Sequence, residues 1–567
     1  MADFGEVLRN IGEFGLFQQI NLFALCFPSI IQSFAVASLL FVEFDPERHC
    51  NTDWILSAGP NLTTEEQLNL TLPREEDGSF SRCQMFVPVD WDIDAIRENG
   101  LNETTRCLNG WVYGNMLYEA TIVTDFDLVC GRGNMVQVLQ TVFMAGMVLG
   151  FLIFGPAAES FGRKRAIQIP TVMLLVFTVT TAQCPNVYLY LVSQFLVGVG
   201  AGGYRVNCIV LTTEWIGASK RSWGVGVAQL FGAIGQCVLA GLIYGVRKWR
   251  LAQLISATPL VLTVVYIWFI PESARWLLNR GRTEEAKKLI IKAAAINKRP
   301  IPDSLLEEIK VTNTVNDGGI KLIFGSRLLA RYFFIVSLAW FSLNLSIYSL
   351  YFDMASLGLS IFVTQLLFGV FEVPALLLSM WLLEILGRKI LFTAVLLIGG
   401  LWSMLILAVP ESKPLGLVRK ISISILFSTS KFLFFCSPSG YAIASTCLAV
   451  ASRVCMIFMA SVCAVYMQEL FPTSVRQSAT ALGSMAGRAG SIVAPLLNVL
   501  SVYHWAIPIS ILSSFTIISG ALGLLLPETR NKELPETASD AEGNRSKTTL
   551  RSISQSNRPQ HGTSTRL

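Results

Sequence analysis

Charge is what this chain lacks. Asp, Glu, Lys and Arg together make up 15% of its 567 residues, against roughly 25% in a soluble globular protein. Histidine is scarcer still: His49, His504 and His561 are the whole complement. They form no grouping with Cys, Asp or Glu that would hold a metal or activate a nucleophile, so no catalytic centre, metal or cofactor is expected. No GxxxxGK[ST] phosphate loop occurs, which leaves ATP-driven chemistry without its cradle. Nothing beyond a basic tail speaks for nucleic acid.

What is abundant is apolar. Hydrophobic residues reach 52% and the mean hydropathy is +0.53. A bilayer is crossed by about 20 mostly apolar residues in a helix. Twelve runs meet that need: 16–42, 135–156, 166–184, 187–212, 224–245, 251–271, 331–352, 358–382, 390–410, 443–467, 474–500 and 507–526. Their length and continuity predict helices rather than the short alternating strands of a barrel. The first run is too long for a cleavable signal peptide.

Charge distribution predicts the orientation. The segment 43–134 holds 17 Asp or Glu against 6 Lys or Arg, whereas 272–331 holds 12 Lys or Arg against 7 Asp or Glu. Basic clusters also follow the second run (Arg163, Lys164, Arg165) and the fourth (Lys220, Arg221). Lys and Arg concentrate on the cytoplasmic side, so both termini and the 272–331 loop are expected there and the 43–134 loop outside. Arg247, Lys248 and Arg250 then face outward against the rule. The acidic loop carries Cys50, Cys83, Cys107 and Cys130, read as two disulfides in an exported segment, and glycosylation sequons at Asn61, Asn69 and Asn102.

The runs fall into two sets of six with a weak internal repeat. GPAAESFGRKRA (Gly155–Ala166) follows the second run and MWLLEILGRKIL (Met380–Leu391) the eighth. Both set Glu three residues before Gly-Arg-Lys: Glu159 with Gly162 and Arg163, Glu384 with Gly387 and Arg388. PESARWL (Pro271–Leu277) and PETR (Pro527–Arg530) echo each other after the sixth and twelfth runs. Glycine permits a tight turn, the cations anchor it, and the carboxylate can pair or cap in one conformation and let go in another. That would make a latch between the halves; a plain positive-inside hairpin is the other reading. Expected boundaries are an N-terminal half at 1–271, a linker at 272–330, a C-terminal half at 331–529 with an insertion at 411–441, and a disordered tail at 530–567.

Taken together, these motifs, with LTTEW (Leu211–Trp215), PESARWLLNRGRTEEA (Pro271–Ala286), FEVPA (Phe371–Ala375), ELFPTSVRQ (Glu469–Gln477) and LPET (Leu526–Thr529), resemble the major facilitator superfamily and, within it, solute carrier family 22. The resemblance runs nearly the whole chain to about residue 530. It implies an all-α fold of twelve transmembrane helices in two six-helix halves, with a large disulfide-bonded extracellular loop in which Cys50–Cys107 and Cys83–Cys130 are the expected pairs. It implies a monomeric carrier of small organic ions or zwitterions, by alternating access, at the plasma membrane or an organelle membrane. Family substrates include organic anions, urate, carnitine and vitamins such as nicotinate and riboflavin.

One arginine stands inside the eleventh run, in GSMAGRAGSIVAP (Gly483–Pro495). A charge at the bilayer centre costs roughly 2.5–3.5 kcal/mol on insertion scales, so such a residue faces a cavity or a partner. The family resemblance places Arg488 where anion carriers hold Arg and cation carriers Asp, hence as a counter-charge for an anionic solute. Arg453, where family anion carriers hold Lys, would share the cavity or pair with Glu372. Arg205 would line it or pair with Glu214; Tyr244, Tyr348 and Phe371 would stack on a planar ligand. Glu214, Arg275 and Glu469 join the latch residues. Some positions depart from the family: Leu376 follows Pro374–Ala375, the tyrosine pair of the seventh run is Ile347–Tyr348, and Ala460 and Ala464 stand at aromatic positions. Glu159 and Ser160 replace the commoner Asp and basic residue, which keeps a non-transporting scaffold or receptor in view. Fewer rings predict a roomier cavity suited to a larger heteroaromatic solute. Competition by a ligand size series is expected to favour the larger members; preference for the smallest acids overturns this.

Overall fold

The computed structural model describes residues 4–35, 47–75, 78–114, 120–217, 221–299, 301–302, 323–354, 359–408, 438–471 and 473–529. Most of the expected insertion, the tail and the side chain of Glu384 lie outside the described residues. Among the described residues twelve long helices dominate: α1 (Leu16–Ala35), α2 (Met135–Phe161), α3 (Arg163–Ala182), α4 (Val187–Trp215), α5 (Arg221–Gly245), α6 (Trp249–Tyr266), α7 (Arg327–Phe352), α8 (Ile361–Leu386), α9 (Arg388–Ile406), α10 (Pro438–Leu470), α11 (Thr473–Val499) and α12 (Ala506–Gly523). Eleven are long and apolar enough to cross a membrane; in α1 the apolar stretch within the described residues is Leu16–Ile30. Lipid offers no partner to backbone N–H and C=O groups, so long helices are the form these runs must take.

The packing repeats. In the first six helices α2 and α3 lie on α4, α1 lies on α4 and α5, and α6 lies on α1 and α3. In the second six, α8 and α9 lie on α10, α7 on α10 and α11, and α12 on α7 and α9. Every pair thus has its counterpart six helices later. The halves meet through α5 on α8 and α2 on α11. In lipid, close approach rather than hydrophobic burial holds helices together, and small residues permit it. A methyl group on Gly150 would fall 2.2 Å from the Val199 carbonyl oxygen, and one on Gly202 2.1 Å from that of Met147. The α2–α4 crossing is therefore backbone against backbone.

A folded loop stands between α1 and α2. Strand β1 (Glu47–Cys50) pairs antiparallel with β4 (Trp111–Gly114), and β2 (Gln84–Phe86) with β3 (Thr104–Arg106). Disulfides join Cys50 to Cys107 and Cys83 to Cys130. The helix Thr64–Thr71 opens on a capping box, where bonds from Thr63 hold the Glu66 carboxyl below its usual range. Asn61, Asn69 and Asn102 are all exposed.

The loop is bolted to the bundle where the charge rule fails. Asp125 accepts from Trp249 Nε1 (2.9 Å) and Arg250 Nε (3.1 Å), and Arg250 Nη1 donates to the carbonyls of Ala182 (3.1 Å) and Cys184 (3.0 Å) at the end of α3. A carboxylate and a helix C-terminus both favour a cation, so this arginine is a structural rivet on the loop side.

At the loop end one buried cluster spans both halves, including Phe143, Leu239 and Ile243 with Tyr351, Phe362, Phe368 and Ala449. At the opposite end the buried residues fall into separate clusters, none of which spans both halves; the larger ones lie around Leu211, Trp215 and Trp276 and around Tyr332, Phe392 and Tyr466. The described conformation is closed at the loop end. Gly202→Val is expected to cost at least about 2 kcal/mol, by overpacking a seam with no free volume, and to lower the melting temperature of the detergent-purified protein. Gly155→Val, where an added Cβ meets nothing within 4 Å, is expected to leave it unchanged.

Candidate functional site

Small residues bring α11 hard against α7: a methyl on Gly490 would lie 2.4 Å from the Phe341 carbonyl oxygen, and one on Gly487 2.7 Å from Asn344 Nδ2. A long side chain between them must leave on another face. Arg488 does so, crossing to the other half, where its guanidinium lies 4.4 Å from the centre of the Phe151 ring on α2. Tyr348 of α7 stands close enough to act electrostatically on it. Arg488 is half-buried, between α11 and α2. Arg205 of α4 stands close enough to act electrostatically on both Arg488 and Glu372. Neither Arg205 nor Arg488 forms an ion pair among the described residues. Glu214, the alternative partner for Arg205, is taken by Arg163 at 3.0 Å.

Arg453 is not a free counter-charge. It is 4% exposed, 3.9 Å from Glu372, and donates to Gln236 Oε1 and the Ile347 carbonyl, each at 3.3 Å. Rings of Phe368 (4.6 Å) and Tyr351 (5.4 Å) flank its guanidinium. A buried charge needs such company. Tyr244 also departs from its expected place. It is the penultimate residue of α5, 62% exposed, edge-on to Phe362 at 5.5 Å; at a rise of about 1.5 Å per residue it lies well toward the loop end from Gln236. Phe371 neighbours Glu372 in α8 and is 45% exposed; Tyr348 is half-buried and stacks on Phe352 at 6.1 Å.

The two Gly-Arg-Lys turns are built alike. Gly162 (φ +101°) and Gly387 (φ +85°) occupy backbone conformations that favour glycine. An added Cβ would also strike a carboxylate, Glu272 Oε2 at 2.5 Å and Glu528 Oε2 at 2.9 Å. Those carboxylates cap the following helices. Glu272 accepts from Lys164 N (3.0 Å) and Ser273 N (3.0 Å), and Glu528 from Arg388 N (3.0 Å), Lys389 N (3.1 Å) and Thr529 N (3.0 Å). The arginines then reach the end of the following long helix: Arg163 binds Glu214 of α4 (3.0 Å), as well as Glu159 of α2 (2.7 Å), and Arg388 binds Glu469 of α10 (2.9 Å). All these bonds lie within one half. Arg275 takes no part in them: it is exposed, whereas Trp276, which the short helix Ala274–Asn279 buries, and Arg280, the exposed residue that ends it, donate to the Glu159 carbonyl (2.8 and 2.6 Å). Glu272 and Glu528 were detectable only as the acidic members of the PES and PET echoes.

Two internally repeated six-helix bundles, sharing one buried core at the loop end and keeping separate cores at the other, are the architecture of the major facilitator fold. The profile of the family described as "Sugar (and other) transporter" matches residues 107–541. Human solute carrier family 22 member 13 is 35% identical over 544 residues, covering 96% of this chain and 94% of the relative. Human member 14 is 33% identical over 546 residues, with 94% and 87% covered. Among solved structures, the proton:xylose symporter XylE bound to 6-bromo-6-deoxy-D-glucose superposes with a TM-score of 0.56 at 16% identity, covering 93% of this chain and 99% of that one. A partially occluded inward-open XylE from E. coli gives 0.56 at 15%, covering 91% and 100%. At such identities these two speak for the fold alone. The chain belongs to solute carrier family 22, and is a multi-pass membrane transporter of the organic ion type.

Arg388→Gln leaves the Glu469 carboxylate, 19% exposed, without its cation. A loss of about 3 kcal/mol is expected, read as a lower melting temperature. Glu528→Gln, which keeps an acceptor at the helix start, is expected to lose about 1 kcal/mol.

Proposed function

We propose that the protein carries small organic anions or zwitterions, planar heteroaromatic acids of the nicotinate or riboflavin type among them, by alternating access across the plasma membrane. The observation that carries this reading is the pair Arg205 and Arg488, both half-buried among the helices and neither joined to a carboxylate among the described residues; in this reading they line the solute chamber. Two like charges in a low-dielectric interior repel, and an anionic solute relieves that cost while collecting charge-assisted hydrogen bonds. The rings of Phe151 and Tyr348 at Arg488 offer flat apolar walls to an aromatic acid. In this reading the disulfide-bonded loop is extracellular and glycosylated at Asn61, Asn69 and Asn102. Both termini and the 272–330 linker are cytoplasmic, the halves are 1–271 and 331–529, and one chain is the transport unit. The Gly-Arg-Lys turns, through Glu159, Gly162, Arg163, Glu214, Arg388 and Glu469, keep each half rigid at the cytoplasmic end while the halves rock.

A cation or carnitine-type carrier is disfavoured because the chamber carboxylate of Glu372 is already engaged by Gln236 and Arg453. A non-transporting scaffold is separated by flux itself. Purified protein in proteoliposomes is expected to accumulate labelled aromatic acids from a panel that includes nicotinate, riboflavin, carnitine and an organic cation. Arg488→Ala is expected to cut that uptake at least about tenfold, since loss of a charged partner in a desolvated site costs 2 kcal/mol or more. Flux of the cation in preference to the acids, or acid flux untouched by Arg488→Ala, overturns the reading.

A further inference from the structure

Gln236 sits where the two halves touch, on α5 opposite α8, and its amide is used at both ends. Its Nε2 donates to Glu372 Oε2 at 3.1 Å, and its Oε1 accepts from Arg453 Nη2 at 3.3 Å. Glu372 and Arg453 belong to α8 and α10 of the other half. The acid and the base they present are 3.9 Å apart at their nearest atoms, long for a direct charge-assisted hydrogen bond. The amide from the opposite half is wedged beside a loosened ion pair. Arg453 Nε is buried without a partner, so the guanidinium has donors to spare for a better arrangement.

We infer that Gln236 is a positioning residue that sets the balance between the two faces of the transport cycle. In the described conformation, closed at the loop end, the amide bridges the halves and holds Glu372 and Arg453 apart. When the halves rock and α5 draws away, the acid and the base close directly on each other. Neither charge is then left bare in the bundle, which would be prohibitive. The tie therefore favours the loop-closed state, while the ion pair makes the other state affordable. Only an amide does this, because it offers a donor to the carboxylate and an acceptor to the guanidinium at once. The inference rests on alternating access and not on the identity of the solute.

The test uses the full chain purified in detergent, where reagents reach both ends. Ala449 is fully buried in the loop-end cluster that joins the halves. A cysteine placed there by Ala449→Cys reacts with a hydrophilic maleimide only when the loop end opens. Adding Gln236→Leu, which keeps the shape and removes the tie, is expected to raise the labelling rate at that position at least about fivefold, as a conformational coupling of ordinary size does. Gln236→Asn, polar but one methylene too short to reach both partners, is expected to shift it in the same direction. Cys463, buried in the C-terminal core, reports general loosening and is expected to stay unreactive. In proteoliposomes Gln236→Leu is expected to change the half-saturation concentration from one side, because apparent affinity follows the fraction of protein facing that side. A purely structural role would lower the yield and leave labelling per molecule alone. Unchanged labelling at Ala449→Cys in both Gln236 variants overturns the inference, as does a parallel rise at Cys463.

Discussion

Lipid gives a charge nothing to hold. Every ionised side chain within the bundle must therefore find a counter-charge, a carbonyl, a ring or water, and Arg163, Arg388, Arg453 and Arg488 sort by which of these they found. Arg163 and Arg388 found carboxylates at helix ends. Arg453 found a carboxylate, an amide and two rings. Arg488 found a ring face and a phenol, which leaves its charge unspent. In a protein that moves solutes, unspent charge is where recognition is available.

The helices that carry these residues are placed by the smallest ones. Glycines on α2 and α4 let two backbones touch, and glycines on α11 do the same against α7. Such seams are stiff, because no side chain stands between them to yield. Stiff halves with a thinner contact between them, along α5–α8 and α2–α11, are what rigid-body rocking requires. The doubled caps on Gly162 and Gly387 serve the same end at the opposite mouth, where each half has its own separate core.

Much of this was legible in the sequence, for reasons specific to lipid. Twelve apolar runs, an acidic loop with four cysteines and a repeated Gly-Arg-Lys turn survive as text because each is dictated locally. Arg488 was conspicuous because a lone cation among small residues has an energetic cost that demands an explanation. Gln236 was not conspicuous, since a neutral amide in an apolar helix costs little and its meaning lies in residues 136 and 217 positions away. Arg453 could be read as solute-facing or as paired, and only the approach of α8 decided it. Tyr244 was misplaced because helical text gives the phase of a residue but not its depth relative to a chamber. Arg275 and Arg280 lie five residues apart in a basic segment, and only the turn of the short helix Ala274–Asn279 chose between them.

The rivet between Asp125 and Arg250 has one more implication. It ties the folded loop to α3 and α6, both in the first half. A loop fixed in this way to the first bundle moves with any tilt of that bundle, like an awning bolted to a door. Under the alternating-access reading, a grip on its outer surface would bear on the tilt of that bundle from outside the membrane.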